Sequence, residues 1–255
     1  VKLATWNVNS IKQRLPHLLT WLDRAQPDLL ALQELKSEDF PADALAAAGW
    51  QARWVGQKAY NGVAVVSRGP VTVVETALPG DPADEQARWL AVDTEGGVRF
   101  ACLYLPNGNP VDSPKYPYKL DWMRRLTERA RAWLADEVPF VLAGDFNVCP
   151  TDEDVYDPVG WREDALCRLE TRRAFRALTH LGLTDALRTI HPVGPRYSFW
   201  DYQAGRWPRD QGLRIDHLLL SPTLADRLTG ADVDRYPRGL EKASDHTPVW
   251  CELAD

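Results

Sequence analysis

Apolar and polar positions along this chain follow two periods, one of a strand and one of a helix. Lys2–Asn7 (KLATWN) has the length of a strand, and behind Ser10, a candidate N-cap, the residues Ile11, Leu15, Leu18, Leu19 and Leu22 recur at helical spacing. That spacing predicts a helix from Ser10 to about Ala25, closed by Pro27. Asp28–Glu34 (DLLALQE) is a continuous apolar run as long as a buried strand. Further strands are expected over 50–55, 62–67, 71–76, 88–93 and 98–105, and the EGG turn at Glu95–Gly97 marks hairpins and antiparallel pairing. The longest helical stripe, Leu120, Met123, Leu126, Ala130 and Leu134 within 116–136, feeds the strand VLAGDFNV. A helix over 172–181 and strands over 197–202, 213–221 and 247–253 complete the pattern. Hairpins mixed with covering helices predict an α/β or α+β chain, two sheets face to face with helices outside. With no repeat and no Ser/Gly linker, one domain over 1–255 is expected.

Five of these strands share a feature: each apolar run ends on a side chain that carries chemistry. Asn7 follows LATW, Glu34 follows LLALQ, Tyr104 stands in FACLYLPNG, Asp145 and Asn147 close VLAGDFN, and Asp216 lies inside GLRIDHLLLS. A sixth group, Ser244-Asp245-His246, precedes the last strand. Each alone has a structural explanation, because Asn and Asp favour turns and caps. Asp216 is the exception, since an acid between Ile215 and His217-Leu218-Leu219-Leu220 is buried and requires a partner.

Composition narrows the partners only a little. The chain of 255 residues is 45% hydrophobic, enough to fill a sizeable core, and its formal charge of −6 argues against holding nucleic acid by bulk electrostatics alone. No apolar run is long enough to span a bilayer and no signal-like segment opens the chain, so a cytoplasmic protein without membrane contact is expected. The four cysteines, Cys102, Cys149, Cys167 and Cys251, lack C-x-x-C spacing and read as free thiols.

Together the polar strand ends could serve a metal-assisted phosphodiester hydrolase. Glu34 is a hard oxygen ligand and Asn7 could help hold the same hydrated Mg2+. Asp216 could orient the imidazole of His246, and Asp145 could take a proton from water. Asp145 and Asn147, two apart on what reads as extended chain, would point to the same side.

The ordered set WNVNS, LQELK, YLPNG, GDFNVCP, RIDHLLLS and SDHTPVW, from Leu3 to Trp250, resembles the exonuclease III family of apurinic/apyrimidinic endonucleases within the endonuclease/exonuclease/phosphatase superfamily. The resemblance implies a four-layered, DNase I-like α/β sandwich of two mixed, mainly antiparallel sheets. It implies Mg2+ at Glu34, with Mn2+ as a substitute, and with Asn7, Asp145, Asn147 and Asp245 close to the ion. His246, oriented by Asp216, would contact the scissile phosphate. Asp145 would work on the attacking water or on the leaving group. Tyr104 and Asn147 would hold the phosphate, with Asn107 on the adjoining backbone. Phe199, Leu213 and Ile215, joined by Trp200, would line a pocket for a nucleotide without its base. The implied substrate is double-stranded DNA with abasic sites or blocked 3′ ends, cut 5′ to the lesion by a monomer in base excision repair, with 3′-phosphodiesterase and 3′→5′ exonuclease activity.

Some relatives carry tryptophan where Leu213 stands and an acid where Asn9 stands, which bears on the balance of those activities. Lys36, Lys58, Lys115, Lys119, Arg206, Arg209 and Lys242 are candidate phosphate contacts. Two other readings compete. One is a superfamily phosphatase acting on inositol phosphate, sphingomyelin or RNA; the other is an inactive module that only binds DNA. The segments YLPNGNPVDSPKYPYKLDWM and GLRIDHLLLS favour DNA, and a chemically competent residue at every catalytic position disfavours the inactive module.

Overall fold

The computed structural model describes residues 1–255. In chain order the elements are β1 (Lys2–Asn7), α1 (Ile11–Ala25), β2 (Leu29–Gln33), α2 (Ala42–Ala47), β3 (Gln51–Val55), β4 (Val63–Ser67), β5 (Val71–Glu75), β6 (Trp89–Thr94), β7 (Arg99–Tyr104), α3 (Lys115–Ala135), β8 (Phe140–Asp145), α4 (Leu169–Thr179), β9 (Thr184–Asp185), α5 (Ala186–Ile190), β10 (Asp216–Leu220), α6 (Pro222–Ala225), β11 (Leu228–Val233) and β12 (Val249–Leu253). Two six-stranded sheets result, in the orders β11-β12-β1-β2-β4-β3 and β5-β6-β7-β8-β10-β9.

The continuous apolar runs are explained by burial on both faces of each sheet. Along β2, Leu29 and Ala31 join the core between the sheets, where they meet Val63 and Val65 of β4 and Phe100, Val141 and Leu218 of the other sheet. Leu30 and Leu32 point the other way, onto Ile11, Leu18, Trp21 and Leu22 of α1. The second sheet does the same, with Ala101, Leu103, Phe140 and Leu142 packed under Trp122, Met123, Leu126 and Trp133 of α3 and Phe175 of α4. The layers are therefore helix, sheet, sheet, helix. Each fully buried Leu contributes about 1.5–3 kcal/mol of transfer free energy, so Leu32→Ala in the outer core costs about 2–5 kcal/mol.

All strand pairs are antiparallel except two, β1 with β2 and β7 with β8, and these two decide where the chemistry falls. Each parallel pair is joined by a crossover helix, α1 or α3, so both of its strands end at the same edge of their sheet. Asn7 and Gln33 pair at the end of the first, Tyr104 and Asp145 at the end of the second. Antiparallel β10 begins where β8 ends, which sets Asp216 opposite Asp145.

The short α2, β9, α5 and α6 carry no sequence pattern that marked them. The elements that the sequence predicts lie within a few residues of their expected bounds, except that 197–202 is not a strand. Only Phe199 pairs there, with Leu213 and with His246. Ser198 explains why: its Oγ accepts the backbone N–H groups of Ile215 and Asp216, each at 3.1 Å, so a side chain takes the place of a ladder. The strand expected over 213–221 accordingly begins at Asp216. β11 (LTGADV) was not anticipated, because Gly230, Ala231 and Asp232 lack the β-branched bulk that marks strands.

Candidate active site

The convergence of strand ends produces a cavity of about 350 Å³ whose lining includes Glu34, Tyr104, Asn107, Asp145, Asn147 and His246. Asn7 lies beneath it, fully buried, and its Nδ2 donates both to Glu34 Oε2 at 2.6 Å and to Asp145 Oδ2 at 2.9 Å. One carboxamide from the first sheet thus ties together a carboxylate from each sheet. Glu34 leaves the line of β2 through a left-handed backbone, φ 52°, and Asn147 does so at φ 49°. Such conformations cost about 1 kcal/mol or more outside glycine and cluster at functional sites. Asn147 therefore is not on extended chain as its spacing from Asp145 suggested. It folds back, its own N–H donating to Asp145 Oδ1 at 2.9 Å, and still reaches the cavity. Its Nδ2 donates to the Leu105 carbonyl at 2.8 Å and its Oδ1 accepts from Asn107 at 3.5 Å.

His246 and Asp216 form the expected pair, Nδ1 to Oδ2 at 2.8 Å, and Ser198 Oγ donates to the same Asp216 oxygen at 2.7 Å. Asp216 Oδ1 is buried with no partner. The other imidazole nitrogen, Nε2, stands 3.6 Å from Asp145 Oδ2. Burial alone would lower the imidazole's pKa, but the carboxylates of Asp216 and Asp145 outweigh it and hold it well above the ordinary range. Asp145 is pushed up to about 7 by burial and by the negative charges of Asp216 and Glu34, against the opposing pull of His246 and Asn7. Asp245 is raised by burial and by Glu34. Burial, then Glu34 and Asp145, lift the Tyr104 phenol well above its usual value, so it stays a neutral donor.

A surplus of negative charge is therefore packed around a small space. The Glu34 and Asp145 carboxylates and the His246 ring converge there, with polar atoms all within 4.8 Å of one another. Hard oxygen donors with too few cations between them fit a divalent ion. Asp245 lines the same cavity, and Lys36 is the nearby cation, 3.7 Å from Glu34 Oε1 and 2.6 Å from Asn9 Oδ1.

The far wall is apolar and holds Phe199, Leu213 and Ile215 as expected, with the Phe199 ring 5.0 Å from that of His246. Trp200 is not part of it. Its indole is fully buried away from the cavity, edge-on to Trp207 at 4.8 Å, with Nε1 donating to Asp210 at 2.9 Å. The side chains that complete the wall, Trp161, Asp164 and Leu166, come from the loop before α4, which shows no periodicity and gave no signal. Asn109, two residues beyond Asn107, also lines the cavity.

Of the candidate phosphate contacts, Lys58, Lys115, Arg209 and Lys242 are exposed and Lys36 and Arg206 half-buried. Lys119 is fully buried and faces only backbone carbonyls.

This arrangement has counterparts. The family model described as Endonuclease/Exonuclease/phosphatase family matches residues 4–246. Exodeoxyribonuclease III of Haemophilus influenzae is 30% identical over 268 residues, covering 99% of this chain and 100% of the relative. Among solved structures, the 3′-5′ exonuclease NExo from Neisseria meningitidis superposes with TM-score 0.97 at 46% identity, covering 100% of both chains. A substituted NExo from Neisseria, described as a 3′ phosphatase, is solved bound to a product DNA hairpin and superposes with TM-score 0.96 at 45% identity, over 100% of this chain and 99% of that one. An AP endonuclease from Archaeoglobus fulgidus superposes with TM-score 0.95 at 36% identity, over 99% of each chain. The chain belongs to the endonuclease/exonuclease/phosphatase family and is a phosphodiesterase of the exonuclease III and AP endonuclease type.

Proposed function

We propose that the protein is a Mg2+-dependent DNA-repair nuclease that hydrolyses the phosphodiester 5′ to an abasic site in duplex DNA and leaves a 3′-hydroxyl. Trimming of blocked 3′ ends and 3′→5′ exonuclease action belong to the same site. One observation carries the reading: Glu34, Asp145 and His246 converge within 4.8 Å beside an apolar wall of Phe199, Leu213 and Ile215. Supporting it, the solved relatives are described as an exonuclease, a 3′ phosphatase and an AP endonuclease.

Glu34 would hold the ion, with Asn7, Asp145, Asn147 and Asp245 beside it, and Mn2+ would substitute. Once bound, such an ion supplies positive charge to the phosphoryl oxygens. The chain's own groups do the rest. Asp145, raised toward neutrality, accepts a proton from the attacking water. The His246 imidazolium, locked by Asp216, donates to a non-bridging phosphate oxygen and stabilises the charge that develops there. Neutral Tyr104 donates its O–H, and Asn147 and Asn107 offer N–H groups that fix the phosphate for in-line attack. A deoxyribose that lacks its base fits against the apolar wall, where a full nucleotide is too large.

The test sets four substrates side by side: an abasic-site duplex, a duplex ending in a 3′-phosphate, an undamaged blunt duplex and an inositol phosphate, each with Mg2+ and with EDTA. Incision of the abasic duplex that EDTA abolishes is expected. Turnover of the inositol phosphate alone would replace this reading with a non-DNA phosphatase, and turnover of the 3′-phosphate without abasic incision would restrict it to end processing.

A further inference from the structure

We propose that Lys119 is a positioning residue of the cleft, a buried ammonium that clamps together the three backbone segments bearing Asn107, Asn147 and the Asp164–Leu166 wall. The proposal rests on the nuclease reading above and concerns how its phosphate-holding groups are kept in place.

Lys119 lies in the second turn of α3 and is 0% exposed. A lysine so deeply buried normally has a carboxylate partner. This one has none within bonding distance. Its Nζ donates to the carbonyls of Asn107 at 2.9 Å, Asn147 at 2.6 Å and Ala165 at 3.2 Å, three acceptors for the three N–H bonds of an ammonium. The carbonyls come from three segments remote in sequence: the one after β7, the one after β8 and the one before α4. All three line the cavity, through Asn107, through Asn147, and through Asp164 and Leu166 on either side of Ala165. The clamp also accounts for the left-handed turn at Asn147. Its carbonyl points inward to Lys119 while its carboxamide remains on the cleft.

Packing alone does not call for a charge here. The neighbouring buried positions of α3 include Trp122, Met123 and Leu126, and an unbranched apolar side chain would fill the same volume. Taking an ammonium out of water costs several kcal/mol before its bonds are counted; burial lowers its pKa, and the charges of Asp164 and Asp145 pull it back up. Its position offsets that cost in function: the cation sits beneath the groups that receive an anionic phosphate, and it fixes their spacing. The segment after β7 is wrapped tightly around the lysine stem. A Cβ added at Gly108, where φ is 90°, would lie 2.6 Å from Lys119 Cδ.

The experiment uses the full chain and the DNA substrate that wild type turns over fastest. Lys119→Met removes the clamp, Lys119→Gln keeps two donor N–H groups without the charge, and Arg125→Met deletes another buried cation of α3 that pairs with Asp84, neither of which lines the cleft. Lys119→Met is expected to lose about 10²-fold in kcat, the scale of an ångström-sized misplacement, with KM and Mn2+ affinity by calorimetry within threefold of wild type. Lys119→Gln should show a smaller loss of the same kind, and Arg125→Met should lose stability with kcat intact. Should Lys119→Met fail to fold, Lys119→Gln decides alone. Full kcat in the variants that fold overturns the clamp. A wild type inactive on every DNA substrate overturns the functional reading beneath it.

Discussion

Asp216 and His217 are neighbours on one strand, and their side chains enter two buried polar clusters of opposite character. Asp216 is buried behind the cleft and bonded to His246, whose imidazole stands among the carboxylates of Asp216, Asp145, Asp245 and Glu34. His217 faces a network in which Arg214 bonds Asp154 at 2.7 Å and Asp185 at 2.9 Å, while Arg188 bonds Asp154 at 2.6 Å. The charges in that network balance, and the ionised forms are favoured. Burial would raise Asp154, yet Arg214 and Arg188 overcome it and hold the carboxyl at about 2. Burial and the Arg214 charge keep His217 neutral, at about 4, with its Nε2 on the Val148 carbonyl at 2.8 Å. In the cleft, burial and then the unbalanced charges of Asp216 and Glu34 push Asp145 up to about 7, while against burial the carboxylates of Asp216 and Asp145 hold His246 well above its usual value. The same residue types make a scaffold where their charges cancel and a reactive site where they do not, provided the latter opens on a cavity.

The sharpest way to break the comparison is to neutralise one acid in each cluster. Asp145→Asn should lower kcat by about 10²–10⁴-fold, the contribution of a positioned general base, and leave the urea midpoint unchanged or higher because a disfavoured buried charge is gone. Asp154→Asn should do the reverse. It strands Arg214 and costs about 3–5 kcal/mol in urea denaturation, with kcat retained within about tenfold.

A milder contrast comes from pH. His217 binds a proton near 6.5 when unfolded but only near 4 when folded, so the stability tied to its neutral form is complete above pH 6.5 and is lost as pH falls toward 4. The full span is on the order of 3 kcal/mol, and part of it should appear as the difference between wild type and His217→Asn in how stability changes from pH 7.5 to 5.0, because the raised Asp145 and His246, present in both, shift stability the other way over that window. Asp154 adds to the loss only further down, between 3.8 and about 2. The smallest effect belongs to Trp200→Phe. It removes the bond to Asp210, costs about 1 kcal/mol, and should leave incision of an abasic duplex unchanged, because Trp200 lies outside the cavity.

These contrasts also mark what the sequence could reveal. The site residues Asn7, Glu34, Tyr104 and Asp145 stand where an apolar run stops on a polar group, and Asp216 where one begins; the two parallel pairs and antiparallel β10 bring those ends together. Local pattern encodes that much. The loops answer to tertiary contacts, which leave no period to read. Trp161 reaches the cavity and Trp200 does not, although YSFWDY looked the better candidate beside Phe199. Lys119 reads as one more exposed cation until three distant carbonyls surround it, and Asn147 reads as extended until its backbone turns left-handed to reach that lysine. The Arg214 network was silent for the same reason: Asp154, Asp185 and Arg188 come from separate segments that only folding unites.

The central claim is that the unbalanced cluster, and not the balanced one, takes up a divalent ion. Calorimetric titration of Mn2+ into wild type, Glu34→Ala and Asp154→Asn tests it most directly. Saturable binding is predicted in wild type and in folded Asp154→Asn and should be absent or at least tenfold weaker in Glu34→Ala. Wild-type affinity in Glu34→Ala would contradict the account.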